Sequence, residues 1–228
     1  MILTKNGNLM KFASGAAVNA IIPPDPLNPL GLPPFTMRGK FNSGYTPNMG
    51  DSQTLVDAEE NVWDIYKNST DWHNLFSWNG NLLDVLGANT TGIMDMHNLF
   101  TQCWNLNSIA LFDTSLVTDM SSMFNSCSKL LILPFFNTSS CVNMGYMCRS
   151  CSLLTNIPLF DTSLVIDISA AFYNCNKVEQ GALALYQQAS SQTNVPTHTN
   201  TFYDCGSGNI AGMAELRQIP SDWGGMAS

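Results

Sequence analysis

The sequence predicts an α/β solenoid of 24-residue repeats, and three observations carry that prediction. Cys103, Cys127, Cys151 and Cys175 stand 24 residues apart. The residues before them repeat in step: Met120, Met123, Phe124 and Cys127 return as Met96, Leu99, Phe100 and Cys103, as Met144, Met147, Cys148 and Cys151, and as Ile168, Ala171, Phe172 and Cys175. Between these blocks a second apolar pattern recurs over 106–112, 130–136 and 154–160. A fixed period of about 20 to 50 residues marks units that bury their apolar faces only against their neighbours.

Taken in order, residues 1–34 form an N-terminal extension. Its first twelve residues alternate and turn at Asn6-Gly7, which supplies the positive φ of a tight hairpin. A proline-rich stretch from Pro23-Pro24 to Pro33-Pro34 follows and reads as a semi-rigid spacer. Residues 35–67 read as a β-rich N-terminal cap with short strands at 35–41 and 61–66, broken by Gly44, Pro47 and Gly50.

Residues 68–178 hold the repeats. In 120–127 the apolar positions fall at i, i+3, i+4 and i+7, which predicts a short helix capped by Ser115 or Asp119. The second half reads L-x-x-(L/I)-x-(L/F), the strand portion of a leucine-rich repeat, and successive copies would stack as a parallel ladder about 4.8 Å apart. A degenerate copy comes first, with Trp72, Leu75, Phe76, Leu82 and Val85. Residues 179–228 read as a capping repeat: a helix over 180–192, an echo of Phe172 to Cys175 in Phe202-Tyr203-Asp204-Cys205 30 residues on, and Trp223 over the core.

Composition narrows the function. Only 11% of residues are charged, against about 25% in ordinary soluble proteins, so amides and hydroxyls must wet most of the surface. A net charge of −8 and no basic run argue against nucleic acid or an anionic membrane as partner. No apolar stretch approaches the ~18 residues of a membrane-spanning helix. The seven cysteines are odd in number and mostly in phase with the repeat, which predicts buried free thiols.

Comparing the copies with each other separates core from free positions. Cys103, Cys127, Cys151, Cys175, Phe100, Phe124 and Phe172 are structural core. His97, Gln102, Trp104, Tyr146, Arg149 and Tyr173 stand at free positions and would align as a solvent-facing stripe. Aromatic rings beside amides and a cation suit recognition of a glycan or a protein, since rings give large contact area at low entropy cost. The outward strand positions, including Leu131 and Ile132, make a second candidate face.

Cys148-x-x-Cys151 resembles a metal or redox motif, but Cys151 belongs to the ladder and Cys148 replaces a core phenylalanine, so neither is expected to bind metal. His73, His97 and His198 have no partner at ligand spacing in the sequence. No nucleophile with a base and no glycine-rich phosphate loop stands out, so the expectation is no enzyme, no cofactor and no metal.

The stretch from Phe112-Asp113-Thr114-Ser115 through Val117-Thr118, Met120 and Met123-Phe124 to Cys127 resembles the F-D-T-S-x-V-T-x-M-x-x-M-F-x-x-C signature of the BspA-like leucine-rich repeat family. Copies start at Phe136-Asn137-Thr138-Ser139 and Phe160-Asp161-Thr162-Ser163. The resemblance implies a leucine-rich-repeat fold and either of two settings, bacterial surface adhesins or fibre-type proteins of phages and prophages from gut bacteria. The N-terminus makes a poor secretory signal, which favours a phage fibre or decoration subunit, localised to the virion and presented to the host surface. In that reading Met1, Leu3, Leu9, Phe12, Pro23 and Pro24 attach the chain to other virion proteins, the assembly is a homotrimer, and the partner is a host-surface glycan or protein. The alternatives are a bacterial cell-surface adhesin and a purely structural capsid decoration protein.

Overall fold

The computed structural model describes residues 25–47, 53–57 and 61–227. The hairpin expected over residues 1–12 and the attachment residues Met1, Leu3, Leu9, Phe12, Pro23 and Pro24 lie outside them.

Five strands form one sheet in the order β2-β3-β1-β4-β5: β1 (Thr36–Phe41), β2 (Gln53–Asp57), β3 (Val62–Tyr66), β4 (Leu82–Asn89) and β5 (Ser108–Ile109). β1 alternates, burying Met37, Gly39 and Phe41 and turning Arg38 and Lys40 the other way. Arg38 stands opposite Asp64 on β3, and its guanidinium donates to both carboxylate oxygens at 2.5 and 2.6 Å, which pins the register of that pair. β1 and β3 occupy the two stretches read as strands; β2 was not anticipated. β4 is antiparallel to β1 on one side and parallel to β5 on the other. The sheet therefore runs without a break from the N-terminal segment into the repeats.

From residue 71 the chain winds in coils stacked in register. Parallel bridges link Asp71 to Asp95, Asp95 to Asp119, Asp119 to Asn143, Asn143 to Asp167 and Asp167 to Thr197. Beside them each coil donates to the one before: Thr118 N–H to the Met94 carbonyl, Val142 to Thr118, Ile166 to Val142, all at 2.8 Å.

The segment expected as a helix, 120–127, is instead a ribbon of consecutive turns. The N–H groups of Met123, Asn125 and Cys127 donate three residues back, to Met120, Ser122 and Phe124 at 3.0 to 3.2 Å. The alternate N–H groups, of Ser122, Phe124 and Ser126, donate sideways to Gly145, Met147 and Arg149 of the next coil at 2.7 to 2.9 Å. Ser122 and Ser126 are left-handed, at φ 53° and 63°. Both arrangements bury Met120, Met123, Phe124 and Cys127, so apolar spacing alone does not distinguish them. What favours the ribbon is composition, since Ser and Asn are poor helix formers and Asn tolerates the left-handed region. Between the two residues expected to cap this segment, Asp119 does so: its Oδ1 accepts the Ser121 N–H at 2.8 Å, while the Ser115 N–H is itself held by Asp113 at 2.9 Å.

The strand halves form a narrower ladder than expected. Only Ser108–Ile109 joins the sheet; farther on Thr155 N–H donates to the Leu131 carbonyl at 3.0 Å and Asn156 bridges Gln180. Pro134 and Pro158 lack the N–H that a continued ladder requires.

Inside, Phe76, Phe100 and Phe124 stack at 5.5 to 5.6 Å, and Phe202 lies between Phe172 at 6.2 Å and Trp223 at 6.3 Å. The Asp-Thr-Ser of the repeat is structural as well. Thr114 and Thr138 are buried and donate their hydroxyls to the Asn137 and Asp161 carbonyls of the following coil at 2.9 Å; Thr90 donates likewise to Asp113. The last coil is longer because α1 (Ala182–Ser190) is inserted, packed against α2 (Ile210–Leu216). Gly181 enters α1 at φ 102°, with the Ile157 carbonyl oxygen 2.1 Å from where a Cβ would sit, so no other residue fits there.

Candidate functional site

Each coil presents the outer side of its turn ribbon to solvent, with two left-handed residues per coil. The first of these positions holds Asn74, Asn98, Ser122, Tyr146, Ala170 and Asn200 in successive coils. Asparagine is favoured there by a side chain that bonds to its own backbone; tyrosine is not. Tyr146 nevertheless adopts φ 59° and leaves its ring about half exposed.

Beside Tyr146 the chain builds a groove. Tyr146 and Arg149 from one coil, Ser169, Ala170 and Tyr173 from the next, and Thr199 and Asn200 from the last line a cavity of about 400 Å³. The Arg149 guanidinium carbon lies 5.2 Å from the Tyr173 ring centre and 5.9 Å from that of Tyr146. Tyr173 stacks in turn on Tyr203 at 4.9 Å. None of the ion pairs among the described residues includes Arg149, so its charge faces the groove without a carboxylate.

Of the six residues expected to share one stripe, Tyr146, Arg149 and Tyr173 converge here. The other three do not join them. Trp104 lies flat over Gly80 of the preceding coil, where an added Cβ would come 2.1 Å from its ring. His97 stacks on His73 with ring centres 4.8 Å apart. Gln102 occupies the second left-handed position, at φ 59°. All three belong to the coil of 96–104, and the coil of 120–127 stands between it and the coil that carries Tyr146 and Arg149. Tyr203 backs the groove from behind Tyr173 without lining it, as the counterpart that the 30-residue echo of Phe172 to Cys175 assigns to Tyr173.

The cysteines lie inside. Cys103, Cys127, Cys151 and Cys175 are fully buried, and each thiol donates to a carbonyl 27 residues earlier, of Phe76, Phe100, Phe124 and Cys148, at 3.0 to 3.1 Å. Burial pushes the Cys103 thiol up to about 12, and pushes Cys127, Cys148 and Cys175 well above the ordinary thiol value. Such thiols are packing groups, inert as nucleophiles. Phe100, Phe124 and Phe172 are equally buried beside them.

The histidines differ from expectation. The 24-residue period brings His73 against His97, and donor atoms of Asp71, His73 and Asp95 all lie within 4.8 Å of one another. The signal was present in the sequence as Asp71-x-His73 and Asp95-x-His97, one period apart.

The model of one protein family, described as Mycoplasma protein of unknown function, DUF285, matches residues 70–185 and again 94–210, the second match starting one repeat after the first. The chain belongs to the DUF285 family. No curated protein and no solved structure matches it. The matched span of this DUF285 chain takes in the groove residues from Tyr146 to Asn200 and both aspartate–histidine pairs.

Proposed function

We propose that this chain is a BspA-like leucine-rich-repeat protein that works by attachment, holding a glycan or protein of a host surface in the Tyr146–Arg149–Tyr173 groove. The observation that carries this reading is Tyr146, whose ring stands over the groove from a left-handed backbone position that its five counterparts fill with asparagine, serine or alanine. Such a conformation costs on the order of 1 kcal/mol for a non-glycine residue, and since every coil adopts it, what sets Tyr146 apart is the aromatic ring it places over the groove. Two rings, Tyr146 and Tyr173, with the Arg149 cation over both, offer a platform for a sugar ring and a counter-charge for an acidic group. Thr199 and Asn200 add hydrogen-bonding groups at its edge.

The setting we propose is the virion of a phage, where the chain serves as a fibre or decoration subunit, trimeric and fixed through residues 1–34. Support for this comes from the proline-rich extension ahead of the repeats and from the resemblance to fibre-type repeat proteins. Immunogold labelling of purified particles and of the producing cells tests it. Gold on the particle is the expected result; gold on the cell envelope with clean particles would replace it with a bacterial adhesin. Binding of purified protein to host cells tests the groove. Loss of binding in Tyr146→Ala and Arg149→Ala, with melting unchanged, is expected, and no binding by the unaltered protein would leave a purely structural decoration role.

A further inference from the structure

Two adjacent coils carry the same triplet, Asp71-His73 and Asp95-His97, at matching places on the rung. In each, the aspartate Oδ1 accepts the histidine backbone N–H at 2.9 Å and lies 2.5 or 2.8 Å from its Nδ1. The imidazole planes are parallel within 2°. The next three coils make the same turn with Asp119, Asn143 and Asp167, but have Ser121, Gly145 and Ser169 where the histidines stand. The turn therefore needs only the backbone N–H. The imidazoles are additions that the scaffold does not require.

Stacking also puts like charges together. Asp71 and Asp95 are bridged neighbours, and farther along the same rung Asn143 donates its amide to Asp119 Oδ2 at 3.4 Å. No amide stands between Asp71 and Asp95. Their carboxylates and the His73 imidazole instead bring three donor atoms within 4.8 Å of one another, on side chains that are a third to nearly half exposed. Two oxygens and one imidazole nitrogen suit Zn²⁺ and similar transition cations better than Mg²⁺, which prefers oxygen ligands and holds its water. Three protein donors leave a place for water, and a dication would offset both carboxylate charges.

We propose that Asp71, His73 and Asp95 bind a divalent transition-metal ion, of which Zn²⁺ is the probe, and that the ion fastens the first two coils of the stack together. His97, lying flat against His73, holds that ring in place. This site is separate from the aromatic groove and does not rest on its function.

The test is calorimetric titration of the metal-stripped full chain with Zn²⁺ in excess Mg²⁺. One equivalent should bind, and its affinity should fall at least about 10-fold in His73→Ser and in Asp95→Asn, the first of which installs the residue found at the matching place in the third coil. Co²⁺ absorption of the unaltered protein needs no variant: ligand-field bands without an intense thiolate charge-transfer band are expected. Absence of Zn²⁺ binding, unchanged affinity in a variant that still melts cooperatively, or a thiolate band from the cysteines would each overturn the proposal.

Discussion

The Cys127 thiol donates to the Phe100 carbonyl at 3.1 Å, and that same carbonyl receives the Cys103 backbone N–H at 3.0 Å. One oxygen thus closes a turn in its own coil and ties in the next. Cys151 repeats this on Phe124, and Cys175 on Cys148. A small apolar side chain with one weak donor suits this place, which accounts for the cysteines at 103, 127, 151 and 175, where the first coil has Asn79. Replacing Cys127 by Ala removes the donor and leaves a small void, and should cost about 2 kcal/mol in urea unfolding. A midpoint equal to that of the unaltered protein would show that the thiol bonds add nothing.

The same burial sets the response to alkali. Cys103 and Cys141 are pushed up to about 12 by burial, and Cys127, Cys148 and Cys175 are raised too. Unfolded thiols titrate near 8.5, so below that pH both states keep their protons and stability is full. Above it the unfolded chain loses thiol protons that the folded chain keeps, and unfolding becomes easier until the folded thiols ionise. Each masked thiol contributes a loss of about 1.4 kcal/mol per pH unit over that window. Urea midpoints should hold level to about pH 8 and then fall, more shallowly in Cys127→Ala. Parallel curves for the two proteins would assign the fall to other groups.

Thr114 shows how the repeat's polar residues act between coils. Its hydroxyl is buried and donates to the Asn137 carbonyl at 2.9 Å. Thr114→Val keeps the shape and strands that carbonyl, so we expect a loss of about 1 to 3 kcal/mol. Ser163, exposed in a copy of the same motif, is the control: Ser163→Ala should stay within about 0.5 kcal/mol.

The period was legible because each core residue recurs at a fixed interval. The local backbone was not. Met120, Met123, Phe124 and Cys127 face inward in a helix or in a turn ribbon alike; the serines and asparagines between them disfavour the helix, but it is the sideways hydrogen bonds to Gly145, Met147 and Arg149 that complete the ribbon. Those bonds are between coils 24 residues apart, beyond the reach of local propensity. The sites were legible only in part. Tyr146, Arg149 and Tyr173 were legible as free positions, whereas the approach of His73 to His97 depends on where the ring falls along a coil.

Trp104 separates exposure from function. It is about half exposed, yet its ring covers Gly80, and it lines no part of the groove. We expect Trp104→Ala to leave host-cell binding intact where Tyr146→Ala and Arg149→Ala abolish it. Gly80→Ala should push the indole off its seat and red-shift tryptophan emission, and the shift should vanish in a Trp104→Phe background. Weakened binding in Trp104→Ala would extend the site to the second coil.

At the far end, Glu215 of α2 accepts the N–H groups of Gly181 and Leu183 at 3.2 and 3.0 Å. A carboxylate at the start of α1 satisfies donors that a helix of this length leaves unpaired, and it meets the positive end of the helix dipole. Gly181 cannot supply this cap itself, because its place against the Ile157 carbonyl excludes any side chain. The insertion that lengthens the last coil is therefore held by a residue 34 positions later in the chain. Glu215→Ala should cost about 1 to 2 kcal/mol. Hydrogen exchange should quicken first at Gly181 to Leu185 while the amides of Phe100 and Phe124 stay protected. Exchange that quickens evenly along the whole chain would mean that α1 and the stacked coils unfold as one unit.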